Sequence, residues 1–169
     1  MSQMSNRALF LDRDGVINVN YGYVYLKSNF VFVDGIFSLV KKANDLGYEV
    51  FVVTNQSGIA RGYYTEAQFL DLSSWMVAEF KKHNCVISQV YYCPYHIDGI
   101  IPEFTKDSED RKPKPGMLLK AAVEHDVDLA NSIMVGDRDV DILAAKSANV
   151  GNIFDVRDLS LLDIAQKIA

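Results

Sequence analysis

The sequence predicts an α/β protein built on a parallel β-sheet with helices on both of its faces. Short apolar runs typical of buried strands alternate with segments whose apolar residues recur at helical spacing. Polar residues follow the apolar runs as these end, as expected of strands that deliver side chains to the carboxyl edge of a sheet. Right-handed crossovers between such strands place the helices on the two faces and a ligand beyond the strand ends.

The first strand is the clearest, because the apolar run from Ala8 leads into Asp12 and Asp14, with Gly15 next. Residues at i and i+2 of an extended segment point the same way, so both carboxylates could share a site if a cation, a proton or a turn relieves their repulsion. Gly15 supplies the turn. Residues 19–33 are rich in aromatic residues and glycine, which suits a short hairpin or flap better than a helix.

The remaining elements alternate in type. Asp34 is predicted to cap a helix that stops at Gly47, and Thr65 with Gln68 resembles a capping box. The predicted elements that follow are strand 48–53, helix 65–82, strand 86–92, helix 115–125, strand 132–135, a helix carrying Ile142, Leu143, Ala145 and Ala148, strand 152–154 and a terminal helix from about residue 159. Residues 93–112 form one long irregular segment, and such loops are often functional.

Composition narrows the function classes. At 169 residues the chain fits one domain, and 49% hydrophobic with 23% charged residues is typical of a soluble globular protein. No apolar run reaches the ~18 residues of a membrane span, and the first residues lack the apolar core of a secretory signal. The net charge of −5 disfavours nucleic-acid binding, and two cysteines form no disulfide framework. We expect a cytoplasmic monomer that acts on a small molecule, with no nucleic-acid or membrane partner.

The polar strand ends are expected to converge on one crevice, together with the end of the long loop. That crevice would collect Asp12, Asp14, Thr54, Asn55, Arg111, Lys112 and Asp137. Carboxylates in this number suggest Mg²⁺, which takes oxygen ligands and is usually held by one or two carboxylates plus substrate phosphate. One carboxylate can attack phosphorus to form an acyl phosphate, and a second can act as acid and base. A hydroxyl group and a lysine complete the charge neutralisation that phosphoryl transfer needs.

Four short motifs carry a resemblance to the haloacid dehalogenase (HAD) superfamily of phosphatases. They are residues 12–18 (Asp-Arg-Asp-Gly-Val-Ile-Asn), 54–58 (Thr-Asn-Gln-Ser-Gly), 111–113 (Arg-Lys-Pro) and 136–137 (Gly-Asp). More narrowly, residues 20–23, 54–62 and 111–116 resemble the D,D-heptose 1,7-bisphosphate phosphatases, and the related histidinol-phosphate phosphatases share the motif set. The resemblance covers residues 7–154 and implies a three-layer, Rossmann-like parallel sheet without a large cap domain.

The resemblance also implies roles at the matching positions. Asp12 is expected to be the nucleophile and a Mg²⁺ ligand, Asp14 the general acid/base that also offers its main-chain carbonyl to the metal, and Asp137 the third ligand. Thr54 and Lys112 are expected to hold the phosphoryl group. The residues expected to bind substrate are Asn20, Tyr21, Gly22, Tyr23, Asn55, Gln56, Ser57 and Arg111. The implied activity is hydrolysis of the 7-phosphate of D-glycero-D-manno-heptose 1,7-bisphosphate through an aspartyl phosphate, on the way to nucleotide-heptose and surface polysaccharide.

The chain departs from the family pattern in the loop after the third strand. Many members carry a structural zinc there, bound by a Cys-Pro-His start and a Cys-x-Cys pair. Here Cys93 remains, but Tyr95, Ser108 and Asp110 stand at the other three positions. Tetrahedral zinc requires four ligands, and even with His96 the loop offers only two of the expected type. We therefore expect no structural zinc.

Two features of the site stay open from the sequence. A bisphosphate requires a second cationic contact, which Arg61 or Arg111 could supply, although Arg61 could equally cap a helix. Histidinol phosphate, the second candidate substrate, carries its own positive charge and would prefer acids there. Asp139 and Asp141 could tune Asp137, but acids at a helix N-terminus are also common because of the helix dipole, which we favour for one of the two.

Two other classes of protein fit the sequence less well. A catalytically silent binding protein of this fold is expected to have lost Asp12 or Asp14, and both are present. A phosphotransferase is expected to cover its site, because water otherwise reaches the phosphoenzyme. The sequence therefore favours an enzyme, a phosphoric monoester hydrolase.

Overall fold

The computed structural model describes residues 5–169 and contains the predicted alternation of strands and helices. The strands are β1 (Ala8–Leu11), β2 (Glu49–Asn55), β3 (Gln89–Cys93), β4 (Ile133–Gly136) and β5 (Asn152–Asp155). The helices are α1 (Ile36–Asp45), α2 (Glu66–Lys82), α3 (Gly116–His125), α4 (Asp139–Ser147) and α5 (Leu161–Lys167). Among these described residues no helix is long and apolar enough to cross a bilayer.

The five strands form one parallel sheet in the order β3-β2-β1-β4-β5, which confirms the predicted fold class. From β1 the chain moves outward to β2 and β3, then returns to β4 on the other side of β1. The strand order therefore reverses between β1 and β4. In open α/β sheets ligands bind at such a reversal, beyond the carboxyl ends of the strands.

The helices cover both faces of the sheet, so the protein has three layers. Leu9 and Leu11 of β1 face α1, α2 and α5, whereas Ala8 and Phe10 face α3 and α4. Side chains alternate between the faces of a strand, so a strand buried on both faces must be apolar throughout, as β1 is. Within residues 5–169 the structure has no separate cap domain.

Residues 19–33, hereafter the flap, cross the carboxyl edge of the sheet without forming a regular hairpin. The two ends of the flap are tied together because Val19 N donates to Val31 O at 2.8 Å and Val33 N donates to Ile17 O at 2.8 Å. The only regular element described between them is a short 3₁₀ turn, Lys27–Asn29. Residues 93–112 are irregular as predicted, apart from a second such turn, Pro102–Phe104.

Three predicted boundaries are wrong, and one of them is the end of β2, which continues to Asn55 instead of stopping at Val53. Helix α1 is capped by Gly35, not by Asp34, and Gly35 adopts a left-handed conformation with φ of +87°. A Cβ atom on Gly35 would lie 3.0 Å from the Leu162 side chain, so the close packing of α5 favours glycine there. Strand β3 begins at Gln89 and not at Val86, whose N–H donates to the Asn44 side chain at 2.8 Å instead of entering the sheet.

Candidate active site

A crevice of about 390 Å³ opens beyond the carboxyl ends of β1 and β2, beside the first turn of α4. Of the predicted site residues, those that line it are Asp12, Asp14, Asn20, Gly22, Tyr23, Asn55, Gln56, Ser57, Arg111 and Lys112. Thr54 and Asp137 are not in this lining but contact or adjoin it, because the Thr54 hydroxyl accepts from Gln56 at 2.8 Å and Asp137 has a carboxylate oxygen within 4.8 Å of one from Asp12. Tyr21 points to solvent with 64% of its surface exposed. The structure thus gathers the residues that the sequence predicted, with Tyr21 as the exception.

Lys112 is the buried cation at the centre of the crevice. Its ammonium group donates to Asp12 Oδ1 at 2.9 Å, to Asp141 Oδ1 at 2.6 Å and to the main-chain oxygen of Val53 at 2.9 Å. All three donor positions of the ammonium are therefore used. Burial disfavours the charged form of Lys112, but the two carboxylates outweigh burial and raise its pKa.

Three carboxylates converge on one point beside this lysine. Asp12, Asp137 and Asp141 each offer one oxygen atom, and these atoms lie within 4.8 Å of one another. Burial raises the pKa of both Asp12 and Asp137, because the charged carboxylates lose water. Asp137 Oδ1 is buried without a hydrogen-bond partner. Since one ammonium cannot neutralise three carboxylates, the cluster fits a divalent cation with oxygen ligands.

Asp141 belongs to this cluster, and Asp139 does not. Asp141 is 1% exposed, and its second oxygen accepts hydrogen bonds from the main-chain N–H of Asp137 at 3.1 Å and of Arg138 at 3.2 Å. Its carboxylate therefore fixes the end of β4 as well as Lys112. The Asp139 side chain is 84% exposed and pairs with Arg157 at 2.8 Å. The sequence left two interpretations open for these acids. Asp141 contacts the main chain of Asp137 and belongs to the site, whereas Asp139 is an exposed acid at the helix N-terminus.

The Asp14 carboxylate points away from the three-acid cluster. One of its oxygens accepts from Arg13 at 2.8 Å and from Asn18 at 3.0 Å, and the other accepts from Gln56 Nε2 at 3.2 Å. Arg13 is 1% exposed and also donates to Val24 O in the flap at 2.7 Å. Hydrogen bonds to Arg13, Asn18 and Gln56 therefore hold the Asp14 side chain at the lining of the crevice, and its oxygens lie outside the three-acid cluster.

Gln56 and Asn55 have structural roles in addition to lining the crevice. The Gln56 amide also donates to the Thr54 hydroxyl at 2.8 Å, and its oxygen accepts from the Tyr64 hydroxyl. Asn55 forms two hydrogen bonds with the main chain of Lys112, accepting from its N–H at 3.0 Å and donating to its carbonyl at 3.1 Å. The end of β2 therefore fixes the position of the lysine.

Sequence reasoning missed Asp141 as a core member of the site and missed Arg138 and Tyr64 altogether. Arg138 lines the crevice from the start of α4, and no ion pair to its guanidinium is found among the described residues. Its position directly after Asp137 was the available signal. Arg61, which was a candidate for a second phosphate contact, is outside the lining and contacts His96 Nε2 at 3.3 Å.

The residues at the zinc positions of the long loop have other partners. The Cys93 thiol is buried and points toward the Tyr95 carbonyl at 3.9 Å. Burial raises the pKa of the thiol, although hydrogen bonds with the Tyr95 main chain and the Ser108 side chain act in the opposite direction. Asp110 pairs with Lys120 of α3 at 3.0 Å. Polar and ionic contacts therefore connect this loop to its surroundings.

The parallel sheet, the carboxylate after β1, the acids after β4 and the buried lysine between them define a phosphatase of the HAD type. Residues 110–154 match the model of the HAD-hydrolase-like family. These residues include Lys112, the acids after β4 and helix α4, so the match covers the part of the site that follows the long loop.

Relatives over nearly the full chain narrow this class. The chain is 47% identical over 150 residues to D-glycero-beta-D-manno-heptose-1,7-bisphosphate 7-phosphatase of Yersinia pestis, covering 89% of this chain and 80% of the relative. It is 50% identical over 155 residues to D-glycero-alpha-D-manno-heptose-1,7-bisphosphate 7-phosphatase of Burkholderia mallei, covering 92% and 82%. The D,D-heptose 1,7-bisphosphate phosphatase of B. bronchiseptica, crystallised with magnesium and phosphate, superposes with a TM-score of 0.84 at 26% identity, covering 95% and 97%. The chain belongs to this family of heptose bisphosphate phosphatases within the HAD superfamily.

The close approach of β1 and β4 gives a prediction at Gly15. This residue has φ of +94°, and a Cβ atom on it would lie 1.9 Å from Asp137 Oδ2. We expect Gly15→Ala to displace Asp137 and to lower kcat/KM for p-nitrophenyl phosphate about 100-fold, the cost of a misplacement of about 1 Å. Phosphate release in the presence of Mg²⁺ measures the effect.

Gly47→Ala is the matched control, because Gly47 has φ of +88° with no atom within 4 Å of the added Cβ. It introduces the same left-handed strain, about 1–2 kcal/mol, without touching the site. Thermal unfolding of both variants separates a loss of stability from a loss of activity. Equal activity in the two variants would show that Asp137 does not depend on the missing side chain at position 15.

Proposed function

We propose that the protein hydrolyses the 7-phosphate of D-glycero-D-manno-heptose 1,7-bisphosphate with Mg²⁺, through an aspartyl phosphate on Asp12, in the supply of nucleotide-heptose for surface polysaccharide. The observation that supports the proposal is the buried Lys112, which pairs with both Asp12 and Asp141. Beside them lies Asp137, whose Oδ1 is buried without a hydrogen-bond partner. Two relatives at 47% and 50% identity that bear this activity in their names support the substrate.

The chain's own groups account for both steps. A carboxylate oxygen of Asp12 attacks phosphorus, the bond to the sugar oxygen breaks, and Asp14 gives the leaving oxygen a proton. Water then attacks the phosphoenzyme, its proton passes to Asp14, and the bond between Asp12 and phosphorus breaks. Lys112 and the Thr54 hydroxyl neutralise the phosphoryl oxygens. Mg²⁺ held by Asp12, Asp137 and the Asp14 carbonyl would supply further neutralisation of the transferring group.

Two arginines favour a bisphosphate over histidinol phosphate. Arg111 lines the crevice with one guanidinium nitrogen buried and without a hydrogen-bond partner, and Arg138 lines the same crevice from α4. A second phosphate would accept hydrogen bonds from such groups, because guanidinium matches the geometry of phosphate. The ammonium group of histidinol would meet like charge there. The sugar of the substrate and its second phosphate would then lie between the flap and these two arginines.

The substrate comparison tests the proposed function directly. We expect kcat/KM for heptose 1,7-bisphosphate to exceed that for histidinol phosphate by more than about 100-fold, because a site built to hydrogen-bond a polar group can reject an analogue that lacks it by about 10⁴-fold. Asp12→Asn should abolish turnover of both compounds, because a carboxamide cannot replace the nucleophile, and it controls for contaminating phosphatases. Preference for histidinol phosphate would overturn the substrate, and wild-type turnover by Asp12→Asn would overturn the mechanism.

The second phosphate contact gives a separate prediction at Arg138. We expect Arg138→Ala to lower kcat/KM for the bisphosphate about 10- to 100-fold, the value of a charge-assisted hydrogen bond, and to leave p-nitrophenyl phosphate unaffected. Steady-state kinetics on both compounds measures the difference. Lys82→Ala is the control, since Lys82 is 70% exposed at the end of α2 distant from the crevice. An equal loss on both compounds would show that Arg138 acts on the transferring phosphoryl group.

The absence of a structural zinc is part of the same proposal, as are the monomeric state and the cytoplasmic location predicted from the sequence. The site for zinc lacks ligands because Tyr95, Ser108 and Asp110 replace the nitrogen and sulfur donors of the family pattern. Protein purified without chelator is expected to contain less than about 0.1 zinc per chain by elemental analysis, since two ligands do not close a tetrahedral site. Stoichiometric zinc would contradict this expectation.

A further inference from the structure

The flap meets the other wall of the crevice through two pairs of tyrosines. Tyr25 stacks on Tyr64 with ring centroids 5.4 Å apart and an interplanar angle of 12°. Nearer to the mouth, Tyr23 meets Tyr63 edge to face, with centroids 4.6 Å apart and an angle of 65°. Tyr64 is buried, whereas Tyr23 and Tyr63 are each about half exposed at 48% and 54%. The outer pair is thus a contact at the rim.

The inner part of the flap is well anchored, and its tip is not. Val24 is buried and accepts the hydrogen bond from Arg13, and Tyr25 packs on Tyr64. The tip, residues 20–23, is exposed throughout. Within the tip, Gly22 N donates a hydrogen bond to Asn20 Oδ1 at 3.0 Å. Its aromatic contact with the opposite wall is the pair between Tyr23 and Tyr63.

The backbone of the tip requires such a contact. Gly22 has φ of +81° and Tyr23 has φ of +48°, so two successive residues are left-handed. This conformation is unfavourable for tyrosine, which has a Cβ atom, and persists only where surrounding contacts favour it. An edge-to-face pair of aromatic rings provides a favourable contact of this kind.

The backbone of the wall that carries Tyr63 is held by several hydrogen bonds. Residues 56–64 form a compact turn in which Tyr63 N donates to Gly58 O at 2.9 Å and Arg61 N donates to Ser57 O at 3.0 Å. The turn is tied to its neighbours because Gln56 N donates to Cys93 O at 2.8 Å and Ile100 N donates to Ala60 O at 2.8 Å. The backbone that carries Tyr63 is therefore held by hydrogen bonds, and its ring, which is 54% exposed, contacts the flap tip.

We propose that Tyr63 is a positioning residue for substrate selection: its ring holds Tyr23, and with it the flap tip, in the conformation that shapes the crevice around the body of the substrate. Asn20, Gly22 and Tyr23 all line the crevice from this tip, and Tyr63 itself does not. Through the flap tip, Tyr63 affects the binding of the substrate body. The transferring phosphoryl group is held separately, at the ends of the strands. The identity of the substrate in this proposal rests on the proposed function. The contact between Tyr63 and Tyr23 does not depend on it.

Kinetics test the role in substrate selection. Tyr63→Ala is expected to raise KM for heptose 1,7-bisphosphate about fivefold, the equivalent of one aromatic pair, with kcat and the turnover of p-nitrophenyl phosphate unchanged. Tyr63→Phe should restore the wild-type KM because it keeps the ring. Leu70→Ala controls for loss of an exposed apolar side chain, since Leu70 is 46% exposed on α2. Unchanged KM in Tyr63→Ala, or a Phe variant as impaired as the Ala variant, would overturn the proposal.

Amide hydrogen exchange tests the contact without any substrate. In the protein without ligand, amide exchange at residues 20–24 is expected to be faster in Tyr63→Ala than in wild type and in Tyr63→Phe, with exchange in the strands unchanged. If exchange in the flap tip is the same in all three proteins, Tyr63 does not hold the tip and the proposal fails. If the wild-type protein does not hydrolyse the bisphosphate, the proposed function fails, and exchange still decides whether the contact exists.

Discussion

The site depends on one buried ammonium group between two carboxylates. Lys112 comes from the long loop, Asp12 follows the central strand, and Asp141 lies in the first turn of α4, so their ion pairs join three separate parts of the fold. Buried ionic groups are stable only when they are paired and hydrogen-bonded, and here the main-chain oxygen of Val53 takes the third donor. The same arrangement leaves negative charge beside Asp137, where a divalent cation is favourable.

The topology of the sheet places these groups together. Because the strand order reverses between β1 and β4, Asp12 and Asp137 follow adjacent strands and lie at the same edge, free of a crossing connection. Their approach is so close that Gly15 has no room for a side chain against Asp137. Asp141 then completes the edge by accepting hydrogen bonds from the last N–H groups of this strand end. The acid cluster therefore results directly from the strand order of the sheet.

The sequence predicted the parts of the site that depend on single elements. A buried strand that ends in acids is visible locally, which is why Asp12, Asp14 and the order of the elements follow from the pattern. Asp141 was ambiguous because its role depends on a lysine 29 residues away along the chain. The cap of α1 was misplaced for a similar reason: Gly35 is selected by packing against α5, which no local pattern shows. The features that the sequence did not predict thus depend on contacts between segments that are distant along the chain.

Lys112 is held at the site by contacts outside the loop that precedes it. Residues 93–112 end in Arg111 and Lys112, so the positions of both depend on how the end of this loop is held. Asn55 holds Lys112, because its side chain accepts from the N–H of Lys112 and donates to its carbonyl, as a neighbouring strand would. The lysine is thereby fixed to the end of β2 and not to the loop that precedes it. The position of Lys112 therefore depends on contacts that do not involve Tyr95, Ser108 or Asp110.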